Sequence, residues 1–225
     1  TTFVPDLARM FHRGDHQQFS QTMASGIRLT ALLTIPASCG LWVMSKPIIG
    51  LLFQHGNFSA AATENTARAL SGLAIGLAGF SVYLFVLRGF YARNDTRTPF
   101  FINVAENAIN IVLAIVLVDR HGVFGLGLSF SIAYLVSALI ALLVLESTEV
   151  DIKLSELAFN IARIAIAAGA MTCVVWFTIR HVGSEAGLGA LSRVVAGTLI
   201  GAATYAVALS ALGEKTMRDY LSSKI

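Results

Sequence analysis

Residues 122–145 read GVFGLGLSFSIAYLVSALIALLVL, a run of 24 residues without one charged side chain. A helix rises about 1.5 Å per residue, and about 20 apolar residues are enough to cross the hydrocarbon core of a bilayer. A soluble helix of this length would normally show a polar face, and this run has none. The stretch therefore predicts a membrane-spanning helix.

The composition of the whole chain is that of a membrane protein. Only 13% of the 225 residues are charged and 56% are hydrophobic, whereas a soluble domain carries roughly 25% charged residues. The mean hydropathy of +0.72 points the same way. These values exclude a water-soluble single domain and predict an all-α, polytopic transmembrane helix bundle.

Six apolar blocks, each about 19–24 residues long, have the length of a membrane span. They cover residues 27–45, 68–88, 99–118, 122–145, 157–179 and 194–213. Pro36 should kink the first span, and the apolar stretch after Pro47 is too short to cross again, so we expect it in the membrane interface. An even number of crossings places both ends of the chain on one side.

A charged linker at 146–156 is the only subdivision that the sequence supports. It separates the first four spans, within 22–145, from the last two, within 157–213. We expect 1–21 to be the end of an upstream transmembrane helix and a cytoplasmic loop, because the chain starts with threonine and a short apolar turn. Residues 214–225 form a polar, amphipathic cytoplasmic tail in this prediction.

The distribution of basic residues predicts the orientation. The side that holds both termini carries 11 of the 16 Lys and Arg residues, and the opposite side carries 5. Because cationic flanks are retained in the cytoplasm, both ends are predicted to be cytoplasmic. The net charge of +3 is explained by basic loops beside anionic headgroups, so it calls for no nucleic acid partner.

The sequence offers no pattern for metal, cofactor or covalent chemistry. Cys39 and Cys173 lie far apart within apolar blocks, and the five histidines lack the spacing of a metal site. No phosphate-binding loop with its lysine is present, and no nucleophile, base and orienting residue occur together. We therefore predict neither an enzyme nor a bound cofactor or metal.

Small residues recur at helical spacing in three spans. Span four carries such residues every four positions; they are Gly125, Ser129, Ala133, Ser137 and Ala141. Span two has Gly72 and Gly76, and span six has Gly197 and Gly201, both in the G-x-x-x-G pattern of close helix packing. Close packing is one interpretation. A sliding surface, or a groove for a lipid chain, is the other.

Four polar residues share one face of span three, at offsets of 0, 3, 4 and 7. They are Asn103, Glu106, Asn107 and Asn110. Polar side chains that face lipid cost free energy, so we expect the stripe to face the interior of the bundle or a watery cavity. It is either a hydrogen-bonded cluster against Ser129 or Ser131, or a cation or proton site with Glu106 as the titrating group.

Several motifs together resemble one known family. They are FVPDLAR at 3–9, LFQHGNF at 52–58 and FYARNDTRTP at 90–99. In this order and spacing they resemble the MurJ/MviN family of bacterial lipid II flippases, in the multidrug/oligosaccharidyl-lipid/polysaccharide exporter superfamily. The resemblance covers essentially the whole chain. The last two spans match only in hydropathy and length.

The resemblance implies a fourteen-helix transporter of two lobes, with this chain as the end of helix eight and helices nine to fourteen. Such proteins move lipid II, the undecaprenyl-diphosphate-linked precursor in peptidoglycan biosynthesis, across the bacterial plasma membrane by alternating access, which supports cell wall biogenesis and cell shape. Most of the family's cavity arginines lie upstream of Thr1. In this family the last two helices form a groove for the polyprenyl tail. The resemblance also implies contact with membrane lipids.

The resemblance and the span positions together suggest substrate-binding residues. They are Arg28, Arg88, Arg163, Gly197 and Gly201. Reaching the headgroup layer is the alternative role for the arginines. Some family members hold sodium among the helices that match span three, but the acidic residue expected one turn after Asn110 is Ala114 here. Protons or sodium, and cell-wall synthesis proteins, are the further expected partners.

Two other functions stay open at this point. One is a related exporter of drugs or polysaccharide lipid, coupled to an ion. The other is a membrane scaffold that transports nothing and docks partners through its cytoplasmic loops. The polar stripe of span three argues against the scaffold, because polar side chains inside a membrane cost free energy unless they serve a purpose.

Overall fold

The computed structural model describes residues 3–54, 57–148, 152–183 and 187–212, which fold into eight α-helices. The helices are α1 Phe3–His12, α2 His16–Val43, α3 Ser45–Phe53, α4 Ala60–Ala92, α5 Arg97–His121, α6 Val123–Glu146, α7 Leu154–His181 and α8 Gly187–Ala211. Six of them, α2 and α4 to α8, are long and apolar enough to cross a membrane. The predicted all-α bundle with six spans is confirmed.

Helices α2 and α4 begin well before the apolar blocks that predicted them. The side chain of Asp15 accepts a hydrogen bond from the backbone N–H of Gln18, at 3.2 Å. Ser59 caps α4 in the same way, accepting from Ala62 N–H at 3.1 Å. These caps start helices in polar sequence. Hydropathy marks only the apolar part of a helix, so it could not predict these starts.

Helix α4 lies at the centre of the bundle. It packs against α2 on one side and α6 on the other; α5 then packs on α6, α7 on α2, and α8 on α7. The short helix α1 lies against α2 and α4. The apolar stretch after Pro47 forms α3, which contacts α4 and α8 and buries Pro47, Ile49 and Gly50. Part of this stretch is therefore packed inside the bundle.

Small residues bring α4 and α6 into backbone contact. A Cβ atom on Gly72 would lie 2.7 Å from the carbonyl oxygen of Phe124, and one on Gly76 would overlap the Cα of Ser131. The close packing predicted from G-x-x-x-G is confirmed here. The predicted small residues of span four are also buried; they are Gly125, Ser129, Ala133, Ser137 and Ala141.

Glu146 organises the linker between α6 and α7. Its carboxylate accepts hydrogen bonds from the backbone N–H groups of Ile152, at 2.8 Å, and Leu154, at 3.5 Å. Lys153 adopts a left-handed backbone with φ of +54°, which turns the chain into α7. The rest of the predicted linker, 149–151, and the predicted tail, 214–225, lie outside the described residues.

The FYARNDTRTP motif forms the connection between α4 and α5. Arg93 donates a hydrogen bond of 2.6 Å to Thr148 Oγ1, just after α6, and its guanidinium lies 5.3 Å from the ring centre of Phe11 in α1. The Asp95 carboxylate accepts from the backbone N–H groups of Arg97 and Thr98, at 3.1 and 3.0 Å. The motif therefore joins the ends of α1, α4 and α6 and starts α5.

Candidate functional site

The polar residues on α5 divide between two environments. Glu106 is only 2% exposed, whereas Asn103 and Asn107 are exposed. Asn107 donates to the backbone carbonyl oxygen of Asn103 at 2.8 Å, along the same helix. Side chains turn about 100° per residue along an α-helix, so the four residues spread over an arc of about 100°. The Glu106 edge of that arc is the buried one.

Asn110 makes the contact to α6 that the sequence suggested. Ser129 Oγ donates a hydrogen bond of 3.0 Å to Asn110 Oδ1. Ser131, the other suggested partner, instead donates to the carbonyl oxygen of Gly72 at 2.6 Å. Of the two partners that the sequence left open, Ser129 makes the hydrogen bond to the stripe. Ser131 does not, because two residues further along α6 the helix surface has turned from α5 toward α4.

Glu106 lies in a buried polar region shared by α4, α5 and α6. Within the described part of the chain, neither Glu106 Oε1 nor Ser137 Oγ has a hydrogen-bond partner. Tyr83 is 1% exposed and interacts electrostatically with Glu106. Each residue lies nine positions from the same end of the bundle, a depth of about 14 Å. Buried polar atoms without partners are rare, so this region is suited to a proton, a cation or water.

A separate cavity of about 360 Å³ lies further along α5 and α6. Asn110, Ala114, Ser129 and Phe130 are among its lining residues, and no lining residue carries a charge. Ala114 occupies the position at which the family resemblance predicts an acidic residue. A cation in this cavity would therefore contact only uncharged oxygen atoms. In the described ranges, no three His, Cys, Asp or Glu residues come together as a metal site would require.

The two glycines of α8 face inward. A Cβ atom on Gly201 would lie 2.9 Å from Val175 Cγ2 in α7, and one on Gly197 would lie 2.6 Å from the sulfur of Met44. Tyr205 adds a hydrogen bond of 2.8 Å from its hydroxyl to the carbonyl oxygen of Leu32 in α2. Gly201 therefore sets the distance between α7 and α8, Gly197 leaves room for Met44 after α2, and Tyr205 fixes α8 to α2.

The outward face of α7 and α8 is strongly apolar. Its large side chains, each more than 60% exposed, are Phe159, Ile166, Phe177, Leu199 and Val207. Exposed apolar surface of this extent on two neighbouring helices is typical of contact with lipid or with another apolar chain.

The three predicted arginines lie in different surroundings. The Arg88 guanidinium lies 5.7 Å from the ring centre of Phe85, and that of Arg163 lies 5.0 Å from the ring centre of Phe159. These are cation–π contacts within one helix. Arg28 lines a cleft between α2 and α7, which neither of the other two reaches. The aromatic residue three or four positions before each of those two arginines is the sequence signal for these contacts.

A family model described as "Lipid II flippase MurJ" matches residues 1–197. The chain belongs to the MurJ family. A probable lipid II flippase MurJ from Rhizobium meliloti (strain 1021) is 31% identical over 179 residues, covering 80% of this chain and 34% of the relative. The counterpart from Vibrio cholerae is 29% identical over 177 residues, with 78% and 34% covered. The chain thus spans about a third of the length of these MurJ relatives.

A solved MurJ structure shares the fold. "Lipid II flippase MurJ, inward closed conformation" aligns with a TM-score of 0.77 and 24% identity, covering 98% of this chain and 43% of that one. The suspected MurJ membership and the all-α fold are therefore confirmed, and the fourteen-helix, two-lobe arrangement is consistent with these homologues. The MurJ name describes a transporter rather than a catalyst. The six apolar helices and the family membership show that this chain is a multi-pass membrane protein.

Proposed function

We propose that this chain is the second lobe of a lipid II flippase, which moves the undecaprenyl-diphosphate-linked precursor across the bacterial plasma membrane by alternating access. The observation that carries the proposal is the family match over residues 1–197 on a bundle of six candidate spans. The proposal assigns the chain no enzymatic reaction. Cell-wall synthesis proteins are expected partners, since they make and use the precursor.

The test is a flipping assay with the full-length protein in vesicles. Lipid II with a fluorescent headgroup is exposed to a membrane-impermeant quencher, and the fraction that becomes accessible is followed with time. Faster exposure than in empty vesicles supports the proposal. Transport of a drug or a polysaccharide lipid instead would favour the ion-coupled exporter, and no transport of any of them would favour the scaffold.

The apolar outer face of α7 and α8 supports a role in holding the polyprenyl tail. A long isoprenoid needs only an apolar track, whereas a diphosphate needs cations. We therefore assign the tail to the outer face of this helix pair, whose packing depends on Gly197 and Gly201, and the phosphates to Arg28, Arg88 and Arg163. The stacking of Arg88 and Arg163 on aromatic rings leaves their positive charge in place for this purpose.

Burial of Glu106, which interacts electrostatically with Tyr83 and lies at the same depth as Ser137, supports a coupling role for the α5 stripe. The proposal is that a proton or sodium ion bound among Asn103, Glu106, Asn107 and Asn110 biases the two lobes between inward-open and outward-open states. A carboxylate that is kept from lipid, and that has one oxygen without a hydrogen-bond partner among the described residues, is a suitable group to bind and release a cation.

The cytoplasmic placement of both ends also stays a proposal. It rests on the even number of candidate spans and on the bias of 11 basic residues to 5. Single-cysteine labelling, with Cys39 and Cys173 replaced, tests it. A cysteine at position 95 should be labelled only after the membrane is opened, and labelling by an impermeant reagent from outside would reverse the orientation.

A further inference from the structure

Pro36 leaves one backbone carbonyl of α2 without its usual partner. It lies inside α2, and a carbonyl oxygen in an α-helix normally accepts a hydrogen bond from the N–H four residues later. Proline has no N–H, so the carbonyl oxygen of Leu32 receives no such bond. Leu32 is buried within a span, and spans that contain proline rely on neighbouring helices to satisfy the freed backbone group. A donor from outside α2 is therefore required.

Tyr205 of α8 supplies that donor. Its hydroxyl donates to the carbonyl oxygen of Leu32 at 2.8 Å, across 173 positions of sequence. Tyr205 also interacts electrostatically with Cys39, three positions after Pro36. Its ring packs against both hydrophobic clusters of the bundle. Tyr205 therefore lies against α2 both before and after the proline.

A second hydrogen bond joins the same region of α2 to the central helix. Ser38, two positions after Pro36, is buried, and its hydroxyl oxygen accepts from the backbone N–H of Ala78 in α4 at 3.1 Å. The proline region thus has one hydrogen bond to α8 and one to α4. It links the apolar α7–α8 pair to the centre of the bundle.

The backbone before the proline is suited to bending. Thr30 Oγ1 donates to the carbonyl oxygen of Gly26, and Thr34 Oγ1 donates to that of Thr30, both at 2.8 Å. Hydroxyl groups that bond back to the residue four positions earlier often bend a helix, and a proline in the interior adds a kink. The segment 30–36 is therefore the part of α2 at which the direction of the helix can change.

The outer side of the same turn of α8 carries apolar surface. Val207 lies two positions after Tyr205, about 200° round the helix, and is 69% exposed. A polyprenyl tail that binds there contacts the side of the turn opposite to Tyr205. We propose that Tyr205 is a positioning residue for transport, an inference that rests on the proposed function. Its hydrogen bond to Leu32 couples the position of α8 to the bend of α2 at Pro36, so binding of the tail changes that bend.

The first test separates transport from stability in the full-length protein. Tyr205→Phe removes the hydroxyl but keeps the ring, and Pro36→Ala gives the Leu32 carbonyl an N–H within α2. Tyr205→Phe should lower the melting temperature and slow lipid II flipping about fivefold, the factor expected for one ordinary hydrogen bond. Adding Pro36→Ala should restore the melting temperature but leave flipping slow, because α2 no longer bends at this position. Tyr91→Phe, at an exposed tyrosine of α4, is the matched control.

A purely structural role predicts a different result for the double variant. If Tyr205 only satisfies a buried carbonyl, Pro36→Ala restores flipping together with the melting temperature, and the proposal is overturned. Wild-type flipping by Tyr205→Phe alone would also overturn it.

The second test measures the bend of α2 directly. Spin labels replace Gln21 and Trp42, which are exposed and lie on either side of Pro36, in a protein whose native cysteines are changed to alanine. Pulsed electron resonance gives the distance between the labels in vesicles. Adding undecaprenyl phosphate should change this distance when Tyr205 is present and leave it unchanged in Tyr205→Phe.

An equal change in both proteins, or no change in either, would contradict the coupling. Failed flipping by the wild type rejects the proposed function instead, and the label distances then decide this inference by themselves.

Discussion

Ser131 Oγ on α6 donates a hydrogen bond of 2.6 Å to the backbone carbonyl oxygen of Gly72 on α4. The carbonyl oxygen of Gly72 also accepts a hydrogen bond within α4, so the hydroxyl of Ser131 binds to the second lone pair of that oxygen. The approach is open because neither Gly72 nor Gly76 has a Cβ atom in the way. The glycines and the serine therefore form one interface, which close packing and a hydrogen bond stabilise together.

Gly76→Ala should destabilise the bundle by about 1–3 kcal/mol, because the added Cβ overlaps Ser131 and the two backbones have to separate. Thermal unfolding in detergent measures the effect. Gly40→Ala is the matched control: the nearest atom to its new Cβ is Met44 Cε at 3.8 Å, and alanine favours a helix. Equal melting temperatures for the two variants would contradict this account of the interface.

Gly201→Leu should slow lipid II flipping, because its side chain meets Val175 and forces α7 and α8 apart. Gly169→Leu serves as control, since no atom of the residues that the structure describes lies within 4 Å of a Cβ at that position of α7. The flipping assay and the expression level are measured together. Wild-type flipping by Gly201→Leu would show that neither close packing nor a groove at this glycine matters for transport.

Leu199→Ser separates the groove from simple packing. Leu199 is among the exposed apolar residues of α8, so a polar replacement changes the track without opening the core. We expect slower flipping at an unchanged melting temperature. If flipping and melting temperature both stay at wild-type values, the apolar face serves as a lipid-facing surface only.

Asp95 should make stability depend on pH. Burial acts to raise the pKa of Asp95, but hydrogen bonds from Thr98 and Arg97 and the charge of Arg93 outweigh it, so the pKa lies below its ordinary value. The ionised carboxylate is thus stabilising above the ordinary pKa of about 4, and this stability is lost as the pH falls through the lowered value.

The stability difference between wild type and Asp95→Asn should therefore be constant near neutral pH and shrink below about pH 4. Thermal melts over a pH series give the measurement. Asp119→Asn, at an exposed position near the other end of α5, is the control and should follow the wild-type profile. A pH-independent difference for Asp95→Asn would show that the charge at this turn does not matter.

Glu106→Gln should remove any dependence of flipping on a proton or sodium gradient while leaving the fold intact, since glutamine keeps the shape and loses the charge. The assay compares flipping with and without each gradient. Glu64→Gln is the control, because it disturbs only an exposed ion pair with Lys46. If flipping by Glu106→Gln depends on the gradient as wild type does, the role of Glu106 is structural. The same conclusion follows if the variant simply fails to fold.

The spans and the close helix contacts could be predicted from sequence because each depends on residues near one another in the chain. Hydropathy located the six spans, and glycine spacing located the contact of α4 with α6. The polar stripe on α5 was recognised as one face. Which of its edges is buried depends on neighbouring helices, and so the difference between Glu106 and Asn103 could not be predicted.

Contacts between loop residues could not be predicted for a different reason. Arg93 and Thr148 are 55 positions apart, and each looks like an ordinary polar residue at a helix end. The hydrogen bonds from Ile152 and Leu154 to Glu146 accompany a left-handed backbone at Lys153, which is uncommon for a residue with a side chain. The cleft between α2 and α7 follows from how distant helices pack, and no local pattern reveals it.

The central position of α4 has a mechanical consequence. The backbone contact between α4 and α6 makes the two helices one rigid unit, because sliding of one helix along the other would bring Gly76 and Ser131 into collision. The α5 stripe sits at one end of the row of helices and the α7–α8 pair at the other. The α7–α8 pair joins this rigid unit by two routes, α7 against α2 and α8 against α3, so a tilt of the unit is transmitted to the pair through both contacts.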